Sequence, residues 1–475
     1  MLRRTKIVAT LGPATDAPGV LESIIKAGVD VVRINFSHGA DMVHARVNAV
    51  RECAEKLGKQ IGIMGDLQGP KIRVSRFQKN KILLETGAQF ILDADLAINA
   101  GTDISVGIDY KGLVNDVFQD DTLLLDDGRI VLIVKKIDGQ QIICQVVAGG
   151  ELSNNKGINR LGGGLSANAL TEKDKEDIKT AAETNMDYVA VSFPRDANDM
   201  LLAKQLLREA GSNAGTIAKI ERAEAIPNID AIILASDGVM VARGDLAVEI
   251  GEVEVPAAQK HIINRARALN KPVITATQMM ESMIKSPIPT RAEVSDVANA
   301  VLDQTDAVML SAESAIGIYP EKVVETMARI CVAAEKDRST QASNYRVEVQ
   351  FSRIDEAIAM AAIYTANHLG IRAIIGLTES GDTPLMMSRL RTGIPIYGLS
   401  NHLPTLGKMT LYRDVYPLPF DNTHLSLEET DAACIALLKS KGFVNTGDIV
   451  LFTKGDHTGI HGGTNTLKII QIQDY

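Results

Sequence analysis

At 475 residues the chain is too long for one compact core and fits about two to four domains of ordinary size. With 45% hydrophobic and 23% charged residues it has the apolar surface to fold and the charge to stay dissolved, which excludes a disordered chain. A net charge of −9 excludes the overall basic character of a nucleic-acid binder, and no apolar run is long enough to span a membrane.

The four cysteines, Cys53, Cys144, Cys331 and Cys434, have neither zinc spacing nor the density of a disulfide framework, so a reducing cytoplasm is the expected compartment. The basic start, Met1 to Lys6, lacks the apolar core and cleavage site of a secretion signal.

From Lys6 onward short β-branched runs alternate with amphipathic stretches, the pattern of parallel strands joined by crossover helices. Strands are expected at 6–11, 29–36, 60–66, 188–193, 216–221, 238–242, 272–276 and 307–311, with helices such as 43–57, 173–184 and 257–269 between them. Eight strands of this kind predict a (β/α)₈ barrel. The third unit is interrupted, because about a hundred residues separate Asp66 from the next strongly helical stretch near Thr171. Within that gap, 123–125 and 130–135 flank Asp126-Asp127-Gly128, and Asp138-Gly139 precedes 141–147; both are hairpin signals. A small inserted β-domain is expected. Its return through Gly162-Gly163-Gly164 suits either a hinge or an ordinary surface turn. Beyond about residue 336, strands at 373–378, 395–399, 449–453 and 467–472 predict a separate α/β domain. The expected domains are 1–69 with 167–336 for the barrel, 70–166 for the insert and 337–475 for the carboxy-terminal unit.

In such a barrel, chemistry collects at the carboxyl ends of the strands. Strand two ends Arg33-Ile34-Asn35-Phe36-Ser37-His38-Gly39, and alternation puts Arg33, Asn35 and Ser37 on one inward face. Strand five ends Lys219-Ile220-Glu221, strand six Ala242-Arg243-Gly244-Asp245, strand seven Ala276-Thr277-Gln278 and strand three Gly65-Asp66. One Lys–Glu pair alone is better explained by a structural ion pair, but desolvating so many charges at one rim for packing alone would be costly. Glu221 and Asp245 are hard oxygen ligands suited to one Mg²⁺, and Arg33 and Lys219 supply positive charge. The set fits phosphoryl transfer; it also fits an aldolase in which Lys219 forms a Schiff base. The eight histidines show no metal-ligand spacing, and no P-loop or Rossmann glycine fingerprint occurs. His38 fits a nucleotide contact or a loop cap equally well.

At these residues the sequence resembles the pyruvate kinase family over nearly its whole length. The resemblance rests on Arg33-Ile-Asn-Phe-Ser-His-Gly39, Gly65-Asp-Leu-Gln-Gly-Pro70, Lys219-Ile-Glu221, Ala242-Arg-Gly-Asp-Leu246, Ala276-Thr-Gln-Met-Met-Glu-Ser-Met283 and Thr290-Arg-Ala-Glu293. It implies a TIM barrel with an inserted small β-barrel and a carboxy-terminal α/β regulatory domain, and a cytoplasmic, bacterial-type homotetramer that transfers the phosphoryl group of phosphoenolpyruvate to ADP at the end of glycolysis, giving pyruvate and ATP. Carried over by position, it implies that Lys219 stabilises the transferring group and Arg33 holds the substrate phosphate. Glu221 and Asp245 bind Mg²⁺, with Mn²⁺ as an alternative. The substrate carboxylate rests on N–H groups at Gly244 and Asp245 and on Thr277, which also helps protonate the enolate through water. Asn35, Ser37, His38, Arg73 and Lys156 fall at the nucleotide.

Two departures from the family pattern matter. Where many members bind K⁺ near the positions of Asn35, Ser37 and Asp66, beside Thr-Lys-Gly-Pro-Glu, this chain has Leu67-Gln68-Gly69-Pro70-Lys71. Lys71 is expected to replace the cation and make K⁺ unnecessary, the alternative being a solvated loop charge. Ala247 stands where the family usually has Gly. In the last domain Thr378-Glu379-Ser380-Gly381-Asp382-Thr383 follows a strand and opens a helix, resembling the family's effector loop. Its Thr378, Ser380, Gly381 and Thr383 would receive a sugar phosphate or AMP, or else simply cap the helix.

Overall fold

The computed structural model describes residues 2–341, 349–455 and 462–473; the side chains of His38 and Leu427 lie outside the described set. Eight parallel strands close into a barrel: Lys6–Thr10, Val31–Asn35, Gly62–Asp66, Tyr188–Val191, Gly215–Ile220, Gly238–Ala242, Val273–Ala276 and Ala307–Leu310. They are short and almost wholly buried, with residues such as Ile7, Ile63, Val189, Ile217, Val239 and Val308 fully enclosed. That is why they read as continuous β-branched runs rather than as alternating ones. Each expected strand is present, generally trimmed by one or two residues at an end. Strand two stops at Asn35 because the Asn35 side chain accepts from the Ser37 N–H, 2.9 Å, and caps a 3₁₀ turn at Phe36–His38. Ser37 is therefore on the turn and exposed, not on the inward strand face.

The helices begin where side chains satisfy their free N–H groups. Thr290 and Glu293 form a reciprocal capping box that starts Arg291–Leu302, and Glu293 also accepts from Ser282 N at 2.6 Å. Thr290-Arg-Ala-Glu293 thus fixes a helix start and ties it to the loop after strand seven.

Between strands three and four the chain builds a six-stranded sheet in the order Ile158–Arg160, Thr122–Leu125, Ile130–Asp138, Gln141–Ala148, Gln89–Asp93, Ser105–Gly107, with a two-stranded ribbon of Lys81–Leu84 and Gly150–Ser153. Isolated bridges from Arg73 to Gly157 and from Val74 to Ile108 reach beyond both edges, so this short segment draws the sheet round on itself. Its own core centres on Phe90, Leu92, Leu123, Leu132 and Ile142. The return to the barrel passes through Gly162, Gly163 and Gly164 at φ +85, +77 and +89. A Cβ would meet the Glu224 carboxylate at 2.5 Å from Gly163, and Arg160 Nη1 at 2.2 Å from Gly164. Glycine suits this turn for its conformation, since all three residues lie in the left-handed region.

The last unit is a five-stranded sheet in the order Val415–Pro419, Ile396–Ser400, Ile371–Leu377, Ile449–Gly455, Thr464–Gln471, with the final strand antiparallel. It seals the amino-terminal mouth of the barrel. Barrel-lining Val8, Met64, Tyr188, Ile217 and Ile274 form one continuous apolar cluster with Ala362, Met387, Leu406, Met409 and Leu451 of this unit. The opposite, carboxyl-end mouth is left for the insert and for chemistry.

Candidate active site

At that mouth the polar strand ends converge. Lys219, at the end of strand five, places Nζ 2.9 Å from Glu221 Oε1, 3.3 Å from Asp66 Oδ1 and 2.7 Å from Ser192 Oγ. Arg33 reaches Asp66 from strand two, with Nε 2.5 Å from Oδ2, and donates to Thr10 Oγ at 3.1 Å. Register explains the meeting: Arg33 lies opposite Thr10 on one side, and Asn35 lies opposite Asp66 on the other. Two cations and two carboxylates are thus stacked in a nearly dry wall, with Asp66 and Glu221 almost inaccessible.

The electrostatics follow from this packing. Burial works against the Lys219 ammonium, but Asp66 and Glu221 more than offset it and hold its pKa above the ordinary value. Burial also pushes the Asp66 carboxyl up, and Arg33 and Lys219 overcome this and keep it below its usual value. Burial dominates at Glu221, whose pKa rises to about 7 with Asp245 and Asp66 adding repulsion. A Schiff-base lysine must reach the neutral amine, so the firmly protonated Lys219 disfavours the aldolase alternative.

Glu221 and Asp245 fit a hard divalent cation. They are oxygen donors, and the like charge between them raises Glu221, a cost that a cation would relieve. Two protein ligands leave the remaining positions to water and substrate oxygens, the arrangement Mg²⁺ favours.

Strand six runs directly into the helix Arg243–Ile250, so Gly244 and Asp245 occupy its first turn, where N–H groups lack helical partners. Thr277 Oγ accepts from Gly244 N at 2.8 Å, bringing the expected carboxylate donors and Thr277 together. The Ala247 methyl lies in the second turn, beside a cleft of ≈ 740 Å³ that also touches Lys71, Asp127, Gly128 and Asp245.

Lys71 is differently placed from its expected position. Its ammonium lies 3.1 Å from Asp245 Oδ1 and 3.9 Å from Asp127 of the insert, and no hydrogen bond or ion pair among the described residues links it to Asn35, Ser37 or Asp66. Asp66 is already neutralised by Arg33 and Lys219, whereas Asp245 presents a partly exposed carboxylate that pairs with the Lys71 ammonium. Arg73 and Lys156 are both on the insert: Arg73 donates to Asn155 O at 3.0 Å, and Lys156 pairs with Asp126 at 2.7 Å. Among the described residues, no hydrogen bond links either of them to Asn35 or Ser37. The His38 side chain lies outside the described set.

Ser192 was not singled out in the sequence, although it obeys the same signal: a hydroxyl ending the apolar run Tyr188–Val191. It accepts from Lys219 and donates to Leu67 O at 2.7 Å, fixing the ammonium.

The barrel domain of the pyruvate kinase family matches residues 2–324, and the family's alpha/beta domain matches residues 356–470. The chain is 56% identical to pyruvate kinase II of Salmonella typhimurium over 477 residues, covering 99% of each. It is 55% identical over 459 residues to a pyruvate kinase of Haemophilus influenzae, covering 96% of each, and 41% identical over 479 residues to one of Sporosarcina psychrophila, covering 100% of this chain and 81% of the relative. The chain belongs to the pyruvate kinase family. Its activity is that of a pyruvate kinase, phosphoryl transfer between phosphoenolpyruvate and ADP. Among the described residues, no helix is long and apolar enough to cross a membrane.

A second pocket in this pyruvate kinase fold lies at the ends of Ile371–Leu377 and Ile449–Gly455, neighbouring parallel strands whose connections run to opposite sides of the sheet. Such a switch point is where open α/β sheets bind ligands. Thr378, Ser380, Thr383 and Lys454 line it, and Gly381 at φ +86 turns the loop into the helix Asp382–Arg389. Thr378 Oγ accepts from Gly381 N at 2.8 Å, which closes the loop, and Thr383 shares a 2.7 Å hydrogen bond with Thr464, which ties the helix to the last strand.

At the root of the insert, Glu249 is buried, accepts from Ala223 N at 2.9 Å, and has its pKa raised by burial to about 7. A carboxyl raised on folding contributes stability that is fully present below its unfolded pKa and lost as pH rises through the folded value. Between pH 5 and 8 the wild type is therefore expected to lose on the order of 1–3 kcal/mol that Glu249→Gln does not lose. Thermal melts of both proteins at each pH check this; a constant difference in melting temperature would refute it.

Proposed function

We propose that Lys219 and Arg33 hold and stabilise the transferring phosphoryl group, that Glu221 and Asp245 bind Mg²⁺ (or Mn²⁺), and that the first-turn N–H groups of Gly244 and Asp245 with Thr277 receive the phosphoenolpyruvate carboxylate. The observation that carries this assignment is the fixed, protonated Lys219 between Asp66 and Glu221 at the open mouth. Bound Mg²⁺ would neutralise charge on the substrate oxygens during transfer. An ADP phosphate oxygen attacks phosphorus as the P–O bond to the enolate breaks, so no protein nucleophile is required. Lys219, bridging donor to acceptor, gains interaction as charge spreads over the phosphoryl oxygens. Thr277, through water, delivers the proton that converts enolate to pyruvate. Asn35, Ser37, His38, Arg73 and Lys156 contact the nucleotide once the insert, residues 70–166, closes about its glycine root over the barrel, excluding water that would hydrolyse the phosphoryl group. The barrel comprises 1–69 and 167–336, and 337–475 is the regulatory unit; the assembly is a cytoplasmic homotetramer. The direct test is pyruvate formation from phosphoenolpyruvate and ADP with Mg²⁺, coupled to lactate dehydrogenase. Turnover requiring both substrates and abolished by chelation supports the assignment, and binding without turnover would indicate a sensor.

Lys71 supplies tethered positive charge in place of K⁺, supported by the buried Leu67, which offers no side-chain oxygen. Adding K⁺ to a potassium-free assay is expected to change the rate less than about twofold, whereas Lys71→Glu should depend on a monovalent cation. Strong activation of the wild type by K⁺ would refute the replacement.

The switch-point pocket receives a phosphorylated sugar or AMP. Lys454, its cation among the described lining residues, is paired with Asp431 at 2.6 Å, which favours one phosphate over two. At low phosphoenolpyruvate, sugar monophosphates or AMP should raise the rate more than a bisphosphate; a rate unmoved by any of them would count against an effector there.

A further inference from the structure

Thr277 is the least comfortable residue at the barrel mouth. It is β-branched yet has φ +69, and Gln278 follows at φ +55. Side chains of this kind rarely adopt the left-handed region, and they persist there only when their surroundings hold them. Within the turn the Thr277 hydroxyl donates to Ala276 O at 2.6 Å, and from outside it the carbonyls are held by one guanidinium. Arg243 donates from Nη2 to Thr277 O at 2.7 Å, and from Nε to Thr277 O and Ala276 O at 3.3 Å each. Its other arm is anchored on Asp296 Oδ1 at 2.7 Å, on the helix Arg291–Leu302, with a longer contact to Gln259 at 3.4 Å. The side chain is only 11% exposed, so these bonds are shielded from competing water. The next residue in the chain, Gly244, donates its N–H to Thr277 Oγ.

We infer that Arg243 is a positioning residue for Thr277. It holds the strained 276–278 turn by its carbonyl oxygens, so that the Thr277 hydroxyl meets the first turn of the helix beginning at Arg243 and faces the substrate. The planar fork matters, because two donors on one carbonyl with a third arm tied to a carboxylate fix the rotation of the peptide as well as its position. Lys at 243 could restore charge near Asp296 but not this geometry. The inference rests on the assignment of Thr277 to the substrate, and the test separates the two.

The experiment is a set of double-mutant cycles on the intact protein, with Arg243→Met, Arg243→Lys, Asp296→Asn and Thr277→Ala, and each of the first three combined with Thr277→Ala. Arg243→Met is expected to lower kcat by about 10–100-fold, as misplacement of a reacting group does, with the KM for ADP within about twofold of wild type. In the Thr277→Ala background the same change should cost less than about threefold further, because the group it positions is already gone. Arg243→Lys should recover only part of the loss. Asp296→Asn, which leaves the carbonyl bonds in place, should show a smaller defect that also vanishes in the Thr277→Ala background. Multiplicative losses in the double variants, or wild-type turnover in Arg243→Met, would overturn the inference while leaving Thr277 in its role. Wild-type turnover in Thr277→Ala would overturn both. If circular dichroism shows Arg243→Met unfolded, the Arg243→Lys and Asp296→Asn cycles decide by the same criterion.

Discussion

Lys219→Ala is expected to lower kcat by at least about 10²–10³-fold, the usual consequence of deleting one preorganised electrostatic stabiliser. The expectation follows from how the ammonium is held. Three groups, Glu221, Asp66 and Ser192, fix its position within a buried wall, so it need not reorganise when charge develops. No other described cation has the same fixed place: Arg33 is committed to Asp66 and Thr10, and Lys71 to Asp245. The loss should fall on kcat more than on the KM for ADP, since the nucleotide is assigned to other residues. Steady-state kinetics with a thermal melt as the folding control is the measurement. A folded variant turning over within about tenfold of wild type would remove Lys219 from the mechanism.

How much of this was legible in the sequence depends on what each residue does. The eight barrel strands were, because buried parallel strands must be apolar throughout and stop at a polar rim. The strand Val415–Pro419 was not, since Pro417 and Pro419 disguise it; it lies at the sheet edge, where proline's missing N–H is tolerated. The helix beginning at Arg243 was hidden for a related reason, with Gly244 and Asp245 read as the end of strand six although both occupy a first turn. Charged residues ending strands announced Arg33, Lys219, Glu221 and Asp245 through their accumulation at one rim. Ser192 and Arg243 also end strands, but a single serine is unremarked beside charged neighbours, and the role of Arg243 stayed hidden because it acts largely on carbonyl oxygens, which have no letter in a sequence. Lys71 was recognised as unusual, but its partner was not, because the path of the chain out of the barrel decides which carboxylate it reaches.

Arg389→Met is expected to destabilise the protein by about 3–5 kcal/mol, through loss of half of a fully buried ion pair rather than through any effect at the active site. Arg389 and Asp306 are 1% and 0% exposed, with Nη1 donating to Asp306 Oδ2 at 2.9 Å and Nη2 to Oδ1. Asp306 precedes the eighth barrel strand and Arg389 ends the helix Asp382–Arg389, so the pair fastens the carboxy-terminal unit to the closed end of the barrel. Asp306 also accepts from Val273 N at 2.9 Å and Arg413 N at 3.0 Å. Those N–H groups cannot neutralise its charge, and methionine would leave a carboxylate buried beside apolar atoms. Arg389→Lys should lose less, because it keeps the charge while giving up the two-point contact. The site at the opposite mouth is untouched, so kcat per folded molecule at low temperature should stay near wild type. Urea denaturation followed by limited proteolysis is the measurement. It should show the carboxy-terminal unit released at lower denaturant in Arg389→Met, and a loss under about 1 kcal/mol would mean that packing of the shared apolar core, not this ion pair, joins the two units.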